Sequence, residues 1–171
     1  LSHVARLSGV RTVLTGHHGD DVVETFFAQL VRGARSGLVG IRPKVTIEGC
    51  SSTVLVRPLL AISKSDILSF LQSVGADYSV DESNCDEMYR RNQIRHQLVP
   101  GFVGISPDYV GKIGGAVSYL QGVFDWLDEV ASGSLVHVDV DEQGVVRVPR
   151  SVFLDLPDVV MGRAVVLFLK Q

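Results

Sequence analysis

A short strand that passes directly into an amphipathic helix constrains the fold of this chain more than any other feature. Residues 10–15 (VRTVLT) are rich in β-branched side chains and end at Gly16, which predicts a strand. From Asp20 onward apolar residues recur at helical spacing, and Gly33 ends the pattern. A strand, a polar turn and a helix in succession are typical of α/β folds. Because ligands bind at the carboxyl ends of strands in open α/β sheets, the sequence predicts a functional site at this turn.

The remaining elements follow from the same kind of pattern. Residues 33–52 are rich in glycine and predict a loop. Residues from 102 onward differ in composition from those before them. We therefore place a domain boundary there, which gives domains 1–101 and 102–171. A strand is predicted at 53–56, and a helix follows it from the N-cap Ser63, with Asp66 in the capping-box position, to Gly75. A further helix is predicted at 86–99, where Pro100 stops it. The remaining predictions are a long helix through 110–127, a hairpin of 135–140 with 145–148, and a helix at 157–170.

Composition excludes several classes of protein. Hydrophobic residues make up 46% of the 171 residues and charged residues 20%, which is typical of a globular chain and not of a disordered one. The longest unbroken apolar run, residues 164–169, is much shorter than the roughly 20 residues that cross a bilayer, so we expect no membrane partner. Cys50 and Cys85 form no CxxC pair, which excludes a disulfide framework and favours a cytoplasmic protein. A net charge of −3 means that a nucleic acid would have to be met by a local basic patch.

Acidic side chains are concentrated at the predicted strand-to-helix turn, in TGHHGDDVVET (15–25). Asp20, Asp21 and Glu24 fall within one helical turn, so their charges repel unless a cation or an ammonium group lies between them. Acids in a first turn also complement the helix dipole, so these three alone do not require a site. The two adjacent histidines favour a site, because core packing has no use for paired imidazoles.

These histidines do not predict a zinc site. His17 and His18 are neighbours at a strand end, so their rings diverge and do not easily share one ion. Their spacing also differs from the helical HExxH pattern of zinc proteases. A magnesium ion held mainly by carboxylates and phosphates fits the residue types better.

Basic side chains are concentrated in RRNQIRH (90–96). Arg91 and Arg95 are four residues apart and share one helical face, with Asn92 and His96 on the neighbouring row. Guanidinium groups bind two oxygens at once, so this face is predicted to bind phosphate; a solvated face balanced by the acids just upstream is the alternative. We expect both arginines at the rim of the strand-end site, where they add under about 1 kcal/mol to stability.

Two further groups of residues were considered as binding sites, and each gives a weaker signal. The glycine-rich loop carries Arg35 and Arg42 and could grip a substrate, although such a segment is often only a loop. Three aromatic residues at helical spacing are predicted to pack in the core and not to stack on bases: Tyr119, Phe124 and Trp126.

Five segments in a fixed order resemble a known family. They are TGHHGDDVVET (15–25), RSGLVGI (35–41), VRPLL (56–60), DESN (81–84) and RRNQIRHQLVP (90–100). Together they are similar to the tRNA(Ile)-lysidine synthetases, a branch of the PP-loop ATP pyrophosphatases. The resemblance implies an α/β fold, with the C-terminal part of a parallel-sheet PP-loop (adenine nucleotide α-hydrolase-like) domain followed by a small, mostly helical tRNA-contacting domain.

The resemblance also implies an activity. Members use ATP and Mg²⁺ to adenylate the C2 oxygen of the wobble cytidine in a tRNA(Ile) with a CAU anticodon; the ε-amine of free L-lysine then attacks C2 and releases AMP. By position, His17, Asp21, Arg91 and Arg95 would be catalytic. Residues that would bind substrates are Asp20, Glu24, Arg35, Asn92 and His96. A homodimer is a further expectation.

One family feature does not occur in these 171 residues. The SGGxDS phosphate-binding loop is not found, so we assign no cofactor-binding residue in this chain and expect it to be a fragment or a degenerate module that releases no AMP by itself. Two alternative functions stay open. One is a tRNA-binding module without catalysis. The other is a PP-loop enzyme that thiolates tRNA, a class that commonly uses paired cysteines.

Overall fold

The computed structural model describes residues 2–34, 37–47, 50–79, 90–135, 139–140, 143 and 146–169. The chain divides into two compact units, Leu1–Ser118 and Tyr119–Gln171. The predicted domain boundary near residue 102 stays a prediction. The compact units divide at a different place because Tyr109 and Val110 pack into the core of the first unit. Among the described residues, no helix has the length and hydropathy that a membrane span requires.

The first unit combines a small sheet with helices. Its elements are α1 (Ser2–Ser8), β1 (Thr12–Leu14), α2 (Gly19–Val31), β2 (Lys44–Ile47), β3 (Cys50–Val56), α3 (Lys64–Ser73), α4 (Arg90–Gln93), a π-helical turn (Ile94–Leu98), α5 (Val99–Ile105) and the first part of α6 (Tyr109–Ser134). The predicted strand, polar turn and helix near the start of the chain are therefore confirmed.

The three described strands form a mixed sheet in the order β1-β3-β2. β1 runs parallel to β3, with Val13 opposite Leu55, and β2 runs antiparallel to β3, with Val45 opposite Leu55. The expected parallel arrangement is thus right for β1 and β3 and wrong for β2. Residues 33–52 were predicted to form a loop because of their glycines, but they contain β2, which leads directly into β3. Such a short connection permits only antiparallel pairing.

Helix α2 begins at a point of close backbone approach. The backbone N–H of Gly19 donates to the carbonyl of Ile62 at 2.8 Å. A Cβ on Gly19 would lie 2.2 Å from Cγ1 of Val110 and 3.1 and 3.2 Å from the carbonyl oxygens of Ile62 and Leu60. Only glycine therefore lets the acidic end of α2 lie against both α6 and the segment before α3.

A hydrophobic core joins α2 to the segment 90–110. Its buried members are Val23, Ile94, Val99, Tyr109 and Val110. The predicted helix end at Pro100 is wrong, because the chain continues as α5. Pro100 is the second residue of α5, and the π-helical turn just before it widens the backbone, so the continuous helix accommodates a residue without an N–H.

Local start and stop signals were predicted well. Ser63 is the N-cap of α3, and its hydroxyl accepts from the backbone N–H of Asp66 at 3.1 Å. Gly33 and Gly75, the predicted ends of α2 and α3, have φ values of +70° and +68°, and Gly9, which follows α1, has a φ of +64°. In each case the left-handed conformation that ends the helix suits glycine.

The second unit contains the rest of α6, the antiparallel pair β4 (Asp139–Val140) and β5 (Val146–Arg147), α7 (Arg150–Leu154) and α8 (Asp158–Phe168). Leu127 and Ala131 of α6 are buried with Ala164 of α8. The prediction that Tyr119 and Trp126 are core residues is wrong, since they are 74% and 59% exposed. At 100° per residue they lie on the side of α6 opposite its buried stripe.

We expect Gly19→Ala to lower the free energy of unfolding by about 1–3 kcal/mol, because the β-branched Val110 cannot rotate away and carbonyls close the other sides. Urea unfolding measures this loss. Gly115→Ala is the control: no atom lies within 4 Å of its Cβ position, and alanine in a helix interior should add up to about 1 kcal/mol. Equal stability of Gly19→Ala and the unchanged protein would contradict the packing described here.

Candidate functional site

Acidic residues of α2 meet basic residues of the segment 90–98 at the turn that follows β1. Glu24 is 1% exposed and is among the most deeply buried side chains of the described residues. Its Oε2 accepts from Nε of Arg91 at 2.8 Å and from Nη2 of Arg95 at 3.0 Å, and its Oε1 accepts from Nε of Arg95 at 2.6 Å. The hydrogen bond to Glu24 raises the pKa of Arg95. Two cations therefore compensate one buried carboxylate.

Arg91 also connects Glu24 to a second carboxylate. Its Nη2 donates to Oδ1 of Asp21 at 2.5 Å, while its Nε donates to Glu24. The other oxygen of Asp21 accepts from the backbone N–H of His18, the N-cap residue of α2, at 2.9 Å. Asp21 thus satisfies a free N–H at the helix start and pairs with a guanidinium at the same time.

Asp20 points to a different set of donors. Its Oδ2 accepts from the backbone N–H of Lys64, the first residue of α3, at 2.6 Å, and its Oδ1 accepts from the hydroxyl of Tyr109. Burial raises the pKa of Asp20, but the contacts with His18, Tyr109 and the Lys64 amide lower it by more than burial raises it. The pKa of Asp20 is therefore well below its ordinary value of 3.8. Burial, together with the bond to Asp20, raises the pKa of Tyr109.

The His18 ring lies between two of these carboxylates. Its Nδ1 is 3.5 Å from Oδ2 of Asp20, and its Nε2 is 3.6 Å from Oδ2 of Asp21. Nδ1 is buried and makes no hydrogen bond to the described residues. We call the set Asp20, Asp21, Glu24, Arg91 and Arg95 the acid–arginine cluster.

The structure places His17 on the turn after β1, and it places Asn92 and His96 on the segment that carries the two arginines. Nδ1 of His17 is 2.9 Å from Oγ1 of Thr15, so this ring contacts the end of β1. Asn92 is buried on α4, and His96 is exposed on the π-helical turn. Arg35 lies outside the described residues. The roles assigned to all of these residues stay predictions.

The expectation that the two arginines point back to the strand end is confirmed by their contacts with Asp21 and Glu24. The prediction that they contribute little to stability does not agree with these contacts, which are ion pairs with buried carboxylates. The side chain of Arg95 is only 22% exposed, and its partner Glu24 is buried. Removing one partner of a buried ion pair costs about 3–5 kcal/mol, because the other charge is left uncompensated.

Sequence reasoning missed two donors of this site. Tyr109 lies beyond the predicted domain boundary, and its only signal was that it precedes a helical stripe. The Lys64 amide has no side-chain signature, although the predicted N-cap at Ser63 implies free N–H groups in the next residues.

A cleft of about 370 Å³ lies beside the acid–arginine cluster. Thr25, Ala28 and Arg32 of α2 line it together with Arg91. Arg91 therefore faces both the carboxylates and the cleft. Among residues that the structure describes, no group of three or more His, Cys, Asp or Glu side chains is arranged so that it could hold a metal ion. The carboxylates that were expected to hold Mg²⁺ face guanidinium, hydroxyl and amide donors, and the expected Mg²⁺ stays a prediction.

A comparison with protein-family models identifies the family of this chain. The PP-loop domain model, of ATP-binding type, matches residues 1–102, which include α2, α4 and the whole acid–arginine cluster. This chain belongs to the PP-loop family.

Curated relatives of this PP-loop chain are named tRNA(Ile)-lysidine synthase. The protein of Geobacter sulfurreducens is 39% identical over 151 residues, 82% of this chain and 29% of the relative. The protein of Bacteroides thetaiotaomicron is 35% identical over 116 residues, 67% of this chain and 26% of the relative. That of Geobacillus kaustophilus is 32% identical over 158 residues, 92% of this chain and 33% of the relative. The chain spans about a quarter to a third of the length of these relatives.

Because the pKa of Asp20 is depressed in the folded state, its contribution to stability is present above about pH 4 and is lost as the pH falls toward the folded pKa. We therefore expect the gap in unfolding free energy between the unchanged protein and Asp20→Asn to be largest above pH 5 and to narrow below pH 4. Urea unfolding across this range measures the gap. Asp77→Asn, at an exposed carboxylate, controls for the loss of one charge. A gap that does not change with pH would contradict the assignment.

Proposed function

We propose that the protein containing this chain is a cytoplasmic tRNA(Ile)-lysidine synthetase. It uses ATP to activate C2 of the wobble cytidine in a tRNA(Ile) with a CAU anticodon and joins the ε-amine of L-lysine to that carbon. Membership of the PP-loop family and the names of the relatives support this proposal. The observation that carries it is the acid–arginine cluster at the end of β1. A homodimer stays a prediction.

The charge balance of the cluster favours a bound ammonium group. Its side chains carry three carboxylates and two guanidinium groups, which leaves one negative charge uncompensated among them. An added cation would balance that charge, and the ε-ammonium of lysine has the right charge and three donors. We assign the ammonium to Asp21, because Asp21 contacts Arg91, which lines the cleft, and each of its oxygens can accept one more hydrogen bond.

Arg91 connects the proposed lysine position to the proposed nucleotide position. Its Nε and Nη2 hold the two acids, and its side chain, which is 44% exposed, also lines the cleft with Arg32. Guanidinium groups at the cleft would stabilise the negative charge of phosphate groups during transfer. Lysine and a phosphate-bearing group would therefore approach each other from the two sides of Arg91.

The chemistry has two steps. In the first, the C2 oxygen of cytidine attacks the α-phosphate of ATP and pyrophosphate leaves. In the second, the neutral ε-amine of lysine attacks C2, the bond between C2 and the AMP oxygen breaks, and AMP leaves. The cluster would orient the ammonium before it gives one proton to solvent, and the arginines would stabilise charge on the leaving AMP.

We expect Asp21→Asn in the full-length protein to raise the KM for lysine by roughly 10- to 150-fold, the equivalent of losing a hydrogen bond to a charged group, about 1.5–3 kcal/mol. The affinity for tRNA should stay nearly unchanged. Incorporation of labelled lysine into tRNA(Ile) measures the first quantity and filter binding the second, with Asp77→Asn as the control.

An unchanged KM for lysine in Asp21→Asn would show that this carboxylate only complements the helix dipole. In the unsubstituted protein, tRNA binding without lysine incorporation would overturn the proposed activity in favour of a binding module. Incorporation of sulfur would overturn it in favour of a thiolating enzyme.

A further inference from the structure

Tyr109 brings a polar group into the first unit's core from outside the segment that the family model matches. It is the first residue of α6, seven positions beyond residue 102, and it is 8% exposed. Val23, Ile94 and Val110 surround it in one cluster. Phenylalanine would fill the same space with no polar atom. A buried hydroxyl is destabilising unless it has a partner, and here the hydroxyl donates to Asp20.

The Asp20 carboxylate is held at both oxygens by different elements. The hydroxyl of Tyr109 on α6 binds Oδ1, and the backbone N–H of Lys64 on α3 binds Oδ2 at 2.6 Å. A carboxylate fixed at both ends cannot turn about its terminal torsion. Its orientation is therefore set from outside α2.

Asp20 in turn faces the His18 ring. Oδ2 of Asp20 is 3.5 Å from Nδ1 of His18, an atom that is buried and makes no hydrogen bond to the described residues. The opposite nitrogen of the ring is 3.6 Å from Oδ2 of Asp21. Contacts thus run without a break from Tyr109 through Asp20 and His18 to Asp21, and from there to Arg91.

We propose that Tyr109 is a positioning residue of the candidate site, which orients the Asp20 carboxylate and, through it, the His18 imidazole beside Asp21. Tyr109 touches no substrate in this account. Its effect on activity rests on the proposed function, because Asp21 is the acid that would hold the lysine ammonium. Without the hydroxyl, the Asp20 carboxylate can rotate, and the position of the His18 ring beside Asp21 is then no longer fixed.

The test is Tyr109→Phe in the full-length protein, with Tyr119→Phe as the matched control on the same helix, where the tyrosine is 74% exposed. The first readout is the ¹⁵N spectrum of histidine-labelled protein at one pH, in which His18→Gln identifies the His18 signals. The second is the set of KM values for lysine, ATP and tRNA, and the third is the melting temperature.

We expect Tyr109→Phe to shift the His18 ring signals and to raise the KM for lysine on the order of tenfold, with the KM values for ATP and tRNA unchanged. Tyr119→Phe should change none of these. Unchanged His18 signals in Tyr109→Phe would overturn the proposal. So would a parallel rise of all three KM values with a fall in melting temperature, since that pattern marks a purely structural residue.

Failure of the proposed function has a different signature. A full-length protein that forms no lysidine even without substitutions overturns that function, and the KM comparison then has no meaning. The His18 signals still decide whether Tyr109 orients Asp20 and the ring, because that readout needs neither tRNA nor ATP.

Discussion

The buried carboxylate of Glu24 determines how the first unit is held together. Moving a carboxylate out of water is strongly unfavourable unless cations and hydrogen-bond donors replace the water. Arg91 and Arg95 supply both, from positions 67 and 71 residues further along the chain. The neighbours of the pair in sequence, Val23 and Ile94, lie in one hydrophobic cluster. Charge pairing and apolar packing therefore fix the same two elements in the same register.

This arrangement also explains why a site can form at the start of α2. Asp21 shares Arg91 with Glu24, so the position of one acid depends on the pairing of the other. Asp20 is held separately, by Tyr109 and the Lys64 amide. Three carboxylates within one helical turn are kept together by groups from four other elements: α3, α4, the π-helical turn and α6. The negative charge left over is what we propose lysine neutralises.

Local patterns in the sequence were sufficient for the elements that depend on local physics. The strand 10–15, the start of α2 and the N-cap Ser63 each follow from side-chain type and spacing within a few residues. The arginines were expected beside the acids, and they lie there, but their pairing with the acids was not predicted, because the arginines were assigned to phosphate and the acids to a cation. The family resemblance then linked these residues to a chemistry, and membership of the PP-loop family is confirmed.

Features that depend on distant contacts could not be predicted. β2 is a strand because β3 pairs with it, although its flanks are rich in glycine. The helix continues past Pro100 because a π-helical turn precedes it. The aromatic spacing of α6 did not reveal which side of that helix is buried, and Trp126 proved to be exposed. The roles of Tyr109 and the Lys64 amide appear only once α3 and α6 are placed beside α2.

A double-mutant cycle between Glu24 and Arg95 tests the central claim most directly. The free energies of unfolding of Glu24→Gln, Arg95→Met and the double variant are compared with that of the unchanged protein by urea unfolding. If Glu24 depends on its arginine partners, the two substitutions should show a coupling energy of about 2–3 kcal/mol, with the double variant more stable than the sum of the single losses predicts. Additivity within about 0.5 kcal/mol would show that the pair is independent, and would contradict the account.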